Sequence, residues 1–263
     1  FLTFFNSDKP ILFPDITYSF YDVWAELFRI PYKQMPLDEN FRLKIDDYKG
    51  ENGGIVFPNP NAPTGIYESL DHVEEIIKNN PDVIVIVDEA YIDFGGETAL
   101  PLIDKYDNLV VVRTFSKSRS MAGLRIGYAI SNPELIKALN DVKYSYNSYT
   151  MNRPSLVLGV ESIHDDAYFR EKVGQIIATR ERFVKEIAEL GFTCLPSSAN
   201  FVFATHESIP AKEIFAAAKE NNIYVRYFDK PRIDNYLRIS IGTDAEMDAF
   251  VAFLKGYVET KQN

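Results

Sequence analysis

Two uninterrupted apolar runs, Val83-Ile84-Val85-Ile86-Val87 and Leu109-Val110-Val111-Val112, constrain this chain more than anything else in it. Neither run alternates apolar with polar residues, so neither strand can keep one face in water. Both are expected to be buried strands. Through the first 145 residues or so, short β-rich runs of this kind alternate with segments of helical period, the pattern of an α/β fold with a mostly parallel sheet sandwiched by helices.

The strands expected are Ile11–Phe13, Ile55–Phe57, Val83–Asp88, Leu109–Arg113 and Arg125–Ile130. Between them, the segment from Ser69 to Ile77 spaces its apolar residues for one helical face, with Ser69 or Asp71 as cap. Pro133-Glu134 opens another helix, with proline in the tolerated first turn. Near Ser145–Arg153 the pattern loosens, and a long amphipathic helix over about Ala167–Leu190 follows. Beyond it come strands at Asn200–Thr205, Tyr224–Arg226 and Leu237–Ile241, with helices at Ala211–Asn221 and Ala245–Val258. The expectation is therefore a large domain over residues 1–150 and a smaller α+β C-terminal domain over 151–263.

With 263 residues, 46% of them hydrophobic, the chain can bury a sizeable core. A formal charge of −10 disfavours nucleic-acid partners, because phosphate backbones need a basic stripe. Any anionic ligand must then be captured by a few local arginines and backbone amides. No stretch approaches the roughly 20 apolar residues of a membrane span, and a cytoplasmic protein is expected. The single cysteine, Cys194, excludes an internal disulfide, and three scattered histidines (His72, His164, His206) argue against a metal site.

Chemistry concentrates where the strands end. Lys117 lies in Thr114-Phe115-Ser116-Lys117-Ser118, just past the second apolar run, with Arg125 eight residues on. An amine, two hydroxyls and a guanidinium beyond a strand end suit a phosphorylated ligand. Asp88 closes the first run and is costly to desolvate unless it meets a cation; taken alone, it could equally cap the next turn. Tyr91 follows three residues later. Asn59-Pro60-Asn61-Ala62-Pro63-Thr64-Gly65 cannot be helix or central strand and must form a rigid loop able to present an amide. An amine nucleophile, a carboxylate for a pyridine nitrogen and a phosphate cradle together suggest pyridoxal 5'-phosphate (PLP) chemistry.

In this order, the motifs resemble those of the fold-type I PLP-dependent aminotransferases, and among them most closely the histidinol-phosphate aminotransferases. They run from Pro14-Asp15-Ile16-Thr17-Tyr18 through Asn61-Ala62-Pro63-Thr64-Gly65, Asp88-Glu89-Ala90-Tyr91, Ser116-Lys117 and Ala122-Gly123-Leu124-Arg125 to Leu237-Arg238-Ile239. The resemblance implies Lys117 as Schiff-base lysine and proton shuttle, Asp88 as pyridinium partner and Tyr91 as donor to the ring hydroxyl. It implies Tyr18 stacked on the ring, and Thr114, Ser116 and Arg125 on the cofactor phosphate. Arg238, with Arg226 as a second contact, would bind the substrate's anionic end. The substrates implied are an amino-phosphate or amino acid and a 2-oxo acid, most closely L-histidinol phosphate with glutamate and 2-oxoglutarate, in a homodimer.

Relatives usually carry asparagine directly before Pro-Thr-Gly, where this chain has Ala62, which leaves Asn61 as the candidate amide. They also possess an N-terminal segment ahead of the first residues here; the chain opens at Phe1 without methionine and is expected to be a piece lacking its beginning. Two rivals share most of these residues: a PLP-dependent decarboxylase of the threonine-phosphate type, and an inactive truncated binding or dimerisation module.

Overall fold

The computed structural model describes residues 1–262. Its first sheet takes strands β1 (Ile11–Pro14), β2 (Tyr32–Met35), β3 (Ile55–Pro58), β4 (Val85–Asp88), β5 (Leu109–Thr114) and β6 (Gly127–Ile130) in the order β2-β1-β3-β4-β5-β6. All neighbours run parallel except β6, which returns antiparallel beside β5.

Burial on both faces follows residue by residue. Val85, Val87, Leu109, Val111, Ile55 and Phe57 face helix α2 (Leu70–Lys78) with Val73, Ile76 and Ile77. The intervening Ile86, Val110 and Val56 face the other way, against Tyr21 and Ala25 of α1 (Tyr21–Leu27). Each such side chain taken fully out of water contributes about 1.5–3 kcal/mol. Ser69 caps α2 by accepting from the His72 N–H, and Asn132 caps α3 (Pro133–Tyr146) by accepting from the Leu135 N–H.

Two helices follow, α4 (Arg153–His164) and the long α5 (Asp166–Ala188). The second sheet is antiparallel, in the order β7-β8-β10-β9, with β7 at Phe192–Cys194, β8 at Phe201–His206, β9 at Arg226–Tyr227 and β10 at Leu237–Ser240. Helices α5, α6 (Ala211–Glu220) and α7 (Asp244–Gln262) cover it through Phe183, Ile187, Ile214, Phe250 and Leu254. Arg180 of α5, 6% exposed, ties the halves together: its Nη1 donates to the carbonyls of Phe94 (3.1 Å) and Ala199 (2.7 Å).

Several boundaries differ from the sequence expectation. β4 begins at Val85, because Ile84 is already used as a carbonyl acceptor for the Ile55 N–H outside the ladder register. The strand expected from Arg125 begins at Gly127: Arg125 has φ 56 and ends a 3-10 turn over Ala122–Leu124, a left-handed conformation no strand residue adopts. The strand expected at Tyr224–Arg226 lies at Arg226–Tyr227, and α1, β2, β7 and α4 were not foreseen.

Tyr48 sits 1% exposed in the core beside α2, and its hydroxyl has no hydrogen-bond partner among the described residues. Since an unpaired buried hydroxyl costs about 1–3 kcal/mol, Tyr48→Phe is expected to raise the free energy of urea unfolding by about 1 kcal/mol. A destabilised variant would mean that the hydroxyl is satisfied in solution.

Candidate active site

The C-terminal ends of β1, β3, β4 and β5 lie along one sheet edge and open into a cavity of about 360 Å³. Loops diverging from parallel strands leave such a crevice. The segment after β1 brings Tyr18, β3 and its loop bring Pro58 and Ala62, and the end of β4 brings Asp88, Ala90 and Tyr91. β5 and its continuation bring Val112, Arg113, Thr114, Ser116 and Lys117, and the turn beyond supplies Ala122 and Arg125. Seven residues named from the sequence thus meet in one space: Tyr18, Asp88, Tyr91, Thr114, Ser116, Lys117 and Arg125.

Asp88 stands in register between Pro58 and Val112, enclosed by protein on every side except the cavity. Burial raises its carboxyl pKa above the ordinary 3.8, against the opposing pull of three positive or donating groups. The Tyr21 hydroxyl donates to Oδ2 at 2.9 Å, the Ala90 N–H donates to Oδ1 at 3.1 Å, and the Lys117 ammonium adds attraction. Successive side chains at a strand end face opposite ways, and Glu89 turns from the cavity into a closed ion pair. It accepts from the Ala99 N–H (2.6 Å), the Thr98 hydroxyl (2.7 Å) and Arg113 Nε and Nη2 (3.0 and 2.8 Å). Two adjacent carboxylates therefore differ in kind: Glu89 is saturated, whereas Asp88 keeps acceptor capacity toward the cavity.

Lys117 Nζ stands 5.2 Å from the centre of the Tyr91 ring, which also packs edge-to-face on Phe201 at 5.1 Å. Thr114 Oγ1 lies 2.9 Å from Ser116 Oγ and accepts from the Ser116 N–H at 3.1 Å, so both hydroxyls gather beside the lysine. The left-handed Arg125 folds Nη1 back onto the Ala122 carbonyl at 3.0 Å, and no carboxylate among the described residues pairs with it. Its remaining N–H groups are available to an anion.

Three of the sequence candidates do not line the cavity. Asn61 is 8% exposed, and its amide is consumed in holding the loop: Nδ2 donates to the Ile16 carbonyl (3.0 Å) and Thr64 Oγ1 (3.1 Å), and Oδ1 accepts from Thr17 (3.1 Å). The side chain at the cavity wall is Ala62, so the expectation that Asn61 substitutes there is corrected. Gly65 closes this loop with φ 79, pressed against Ser197, where a Cβ would have no room. Arg238 and Arg226 are direct partners across β10 and β9, outside the cavity. The Arg238 guanidinium lies 5.2 Å from the Phe201 ring centre, the same ring that supports Tyr91. Burial lowers its pKa, and Arg226 lowers it further. Neither arginine has an ion-pair partner among the described residues, which leaves two neighbouring cations facing no counter-charge.

Sequence reasoning missed Tyr21, because nothing in Thr17-Tyr18-Ser19-Phe20-Tyr21 marks the second tyrosine as the one that reaches Asp88. It also missed Arg113, whose signal was present as a lone charge closing an apolar strand beside a second strand ending in Asp88-Glu89.

The residues present fit PLP. The cavity admits an aromatic ring beside Tyr18, a carboxylate with open acceptor capacity lies at its floor, an amine enters from one wall, and hydroxyls with an unpaired guanidinium gather at one end.

Residues 1–254 match the family described as aminotransferase class I and II. Histidinol-phosphate aminotransferase of Lactococcus lactis subsp. lactis is 52% identical over 262 residues, covering 100% of this chain and 73% of that protein. The enzyme of the same name from Clostridium botulinum (strain 657 / Type Ba4) is 51% identical over 255 residues, covering 97% and 72%. The crystal structure of histidinol-phosphate aminotransferase from Clostridium acetobutylicum has the same fold, with a TM-score of 0.89 at 24% identity, over 96% of this chain and 78% of that one.

Since its native pKa is raised, Asp88 holds its proton more tightly in the folded than in the unfolded state, and it subtracts stability as pH rises past 3.8. In the absence of ligand, Asp88→Asn is expected to raise the melting temperature at neutral pH, with the gain vanishing below that value. A lower melting temperature at neutral pH would mean that Tyr21 and Ala90 outweigh burial.

Proposed function

We propose, on the premise that this chain belongs to the class I and II aminotransferase family and within it to the histidinol-phosphate aminotransferases, that it transfers an amino group between L-histidinol phosphate and 2-oxoglutarate, with PLP as cofactor. The observation that carries this is that the Asp88 carboxylate and the Lys117 amine line one ring-sized cavity.

PLP, when bound, supplies an electrophilic aldehyde carbon and a ring that takes up electrons. Lys117 Nζ would hold the cofactor at that carbon and, as the free amine, would take up and return the proton at the substrate's amine-bearing carbon. Asp88, ionised, holds a proton on the ring nitrogen. Tyr91 donates to the ring hydroxyl, and Tyr18 covers a ring face. Thr114, Ser116 and Arg125 take the phosphate, with Arg125 as the rigid fork. Arg238 and Arg226 bind the substrate's anionic end, phosphate in one half-reaction and a carboxylate in the other. Their mutual repulsion and lack of counter-charge support that role.

The division into a cofactor-holding part (1–150) and a smaller part (151–263) is supported by the separation of the two sheets, with α4 packed back onto the first through Ser155 and Gly159. A homodimer is supported by the uncovered apolar side chains Leu156, Val157, Val160 and Ile163 of α4, all about half exposed. Among the described residues, no helix is long and apolar enough to cross a membrane. We propose a cytoplasmic enzyme that serves histidine biosynthesis.

Borohydride reduction in the presence of PLP is expected to add the reduced cofactor's mass to the intact protein, and Lys117→Ala to abolish that adduct. An undiminished adduct would place the nucleophile elsewhere, and release of carbon dioxide in place of oxo-acid-dependent amine transfer would turn the reading to a decarboxylase. For Arg238→Met, KM for both substrates is expected to rise at least about tenfold with kcat far less affected, the loss of a charge-assisted contact. An unchanged KM would remove Arg238 from the substrate.

A further inference from the structure

Tyr21 is 2% exposed on the first turn of α1. Its hydroxyl points through the wall between α1 and the sheet and donates to Asp88 Oδ2 at 2.9 Å. Its ring meets the Tyr18 ring edge-on, centroids 5.6 Å apart and planes at 79°. The two cavity groups that would touch the cofactor's ring from different directions are thus anchored on one buried side chain.

We propose that Tyr21 is a positioning residue for the cofactor: its hydroxyl fixes the Asp88 carboxylate for the ring nitrogen, and its ring edge sets Tyr18 against the ring face. This deepens the assignment above and rests on PLP being bound.

The geometry leaves few alternatives for the donor. Oδ1 of Asp88 is held by the Ala90 N–H from its own turn, and Oδ2 by Tyr21 from another element, so rotation of the carboxylate is blocked from both sides. The groups facing Asp88 are Tyr21 from α1, Tyr18 just ahead of it, the Ala90 N–H and Glu89 from the β4 end, and Lys117 from beyond β5. Of these, only Tyr21 and Ala90 hydrogen-bond to the carboxylate, and only Tyr21 can be altered without touching the backbone. A donor to a carboxylate favours its ionised form, and an ionised Asp88 is what a protonated ring nitrogen requires. Tyr21 itself is immobilised by Phe1, Phe13 and Trp24, which pack around its ring at 5.9–6.2 Å. Its pKa is pushed well above the ordinary tyrosine value by burial and by Asp88, so it remains a donor across the working range.

Tyr21→Phe removes the hydroxyl and keeps the ring packing. Trp24 is the only tryptophan and stands 5.9 Å from Tyr18, so quenching of its fluorescence reports cofactor binding. Two probes are titrated into the full chain: PLP, and its 1-deaza analogue, in which a C–H replaces the ring nitrogen. The variant is expected to bind PLP about tenfold more weakly, the loss of one hydrogen bond to a charged group, and the deaza analogue less than about twofold more weakly. In an Asp88→Asn background, the same substitution is expected to change PLP affinity less than about twofold. Equal losses for both probes, or none for PLP, would reduce Tyr21 to a packing residue and overturn the inference alone. Failure of the unaltered chain to bind PLP would overturn the cofactor assignment and this inference with it.

Discussion

A carboxylate at the end of a strand with no polar face is the constraint around which this molecule is organised. β4 is apolar on both sides because helices cover both sides, so its last residue cannot reach bulk water along the sheet. Asp88 is left with the cavity as its only open direction, and with a cost of burial that two hydrogen bonds and a nearby ammonium only partly offset. A protonated heterocycle is the kind of ligand that cancels the remainder. The same backbone geometry that creates the cost delivers Lys117 and the hydroxyls to the same edge, because parallel strands all end there.

The elements legible in the sequence are those whose burial imposes a period. β4 and β5 announce themselves as unbroken apolar runs, and α2 carries its buried residues on one face with a serine at its start. The overlooked elements lack that imprint. β2 is an edge strand whose Lys33 and Gln34 are exposed, so it has no apolar signature. α1 has seven residues, too few for a periodicity to emerge. α4 buries only Ser155 and Gly159 and exposes its larger apolar side chains, the inverse of an ordinary amphipathic helix.

The candidate site was legible to the extent that it follows strand ends. Seven residues fall into one cavity because each sits on, or just beyond, the C-terminal end of a parallel strand or in the turn that closes that edge. What sequence could not disclose was which hydrogen bonds are already used. Asn61 has the right amide, but Ile16, Thr17 and Thr64 claim it, and those partners are brought close only by the folded loop. Tyr21 and Arg113 are the converse, ordinary residues made specific by what lies across the sheet from them. In the same way Phe201 belongs to the second sheet yet packs against both Tyr91 of the cavity and Arg238.

The pairing of Arg226 with Arg238 has a practical side. Two arginines opposed across a β ladder repel one another, and a doubly charged oxyanion is the solute that would relieve that repulsion. In the role proposed for this pair, phosphate and sulfate buffers would compete with substrate, apparent affinities would depend on the choice of buffer salt, and a Good's-type zwitterion would be the medium for studying it.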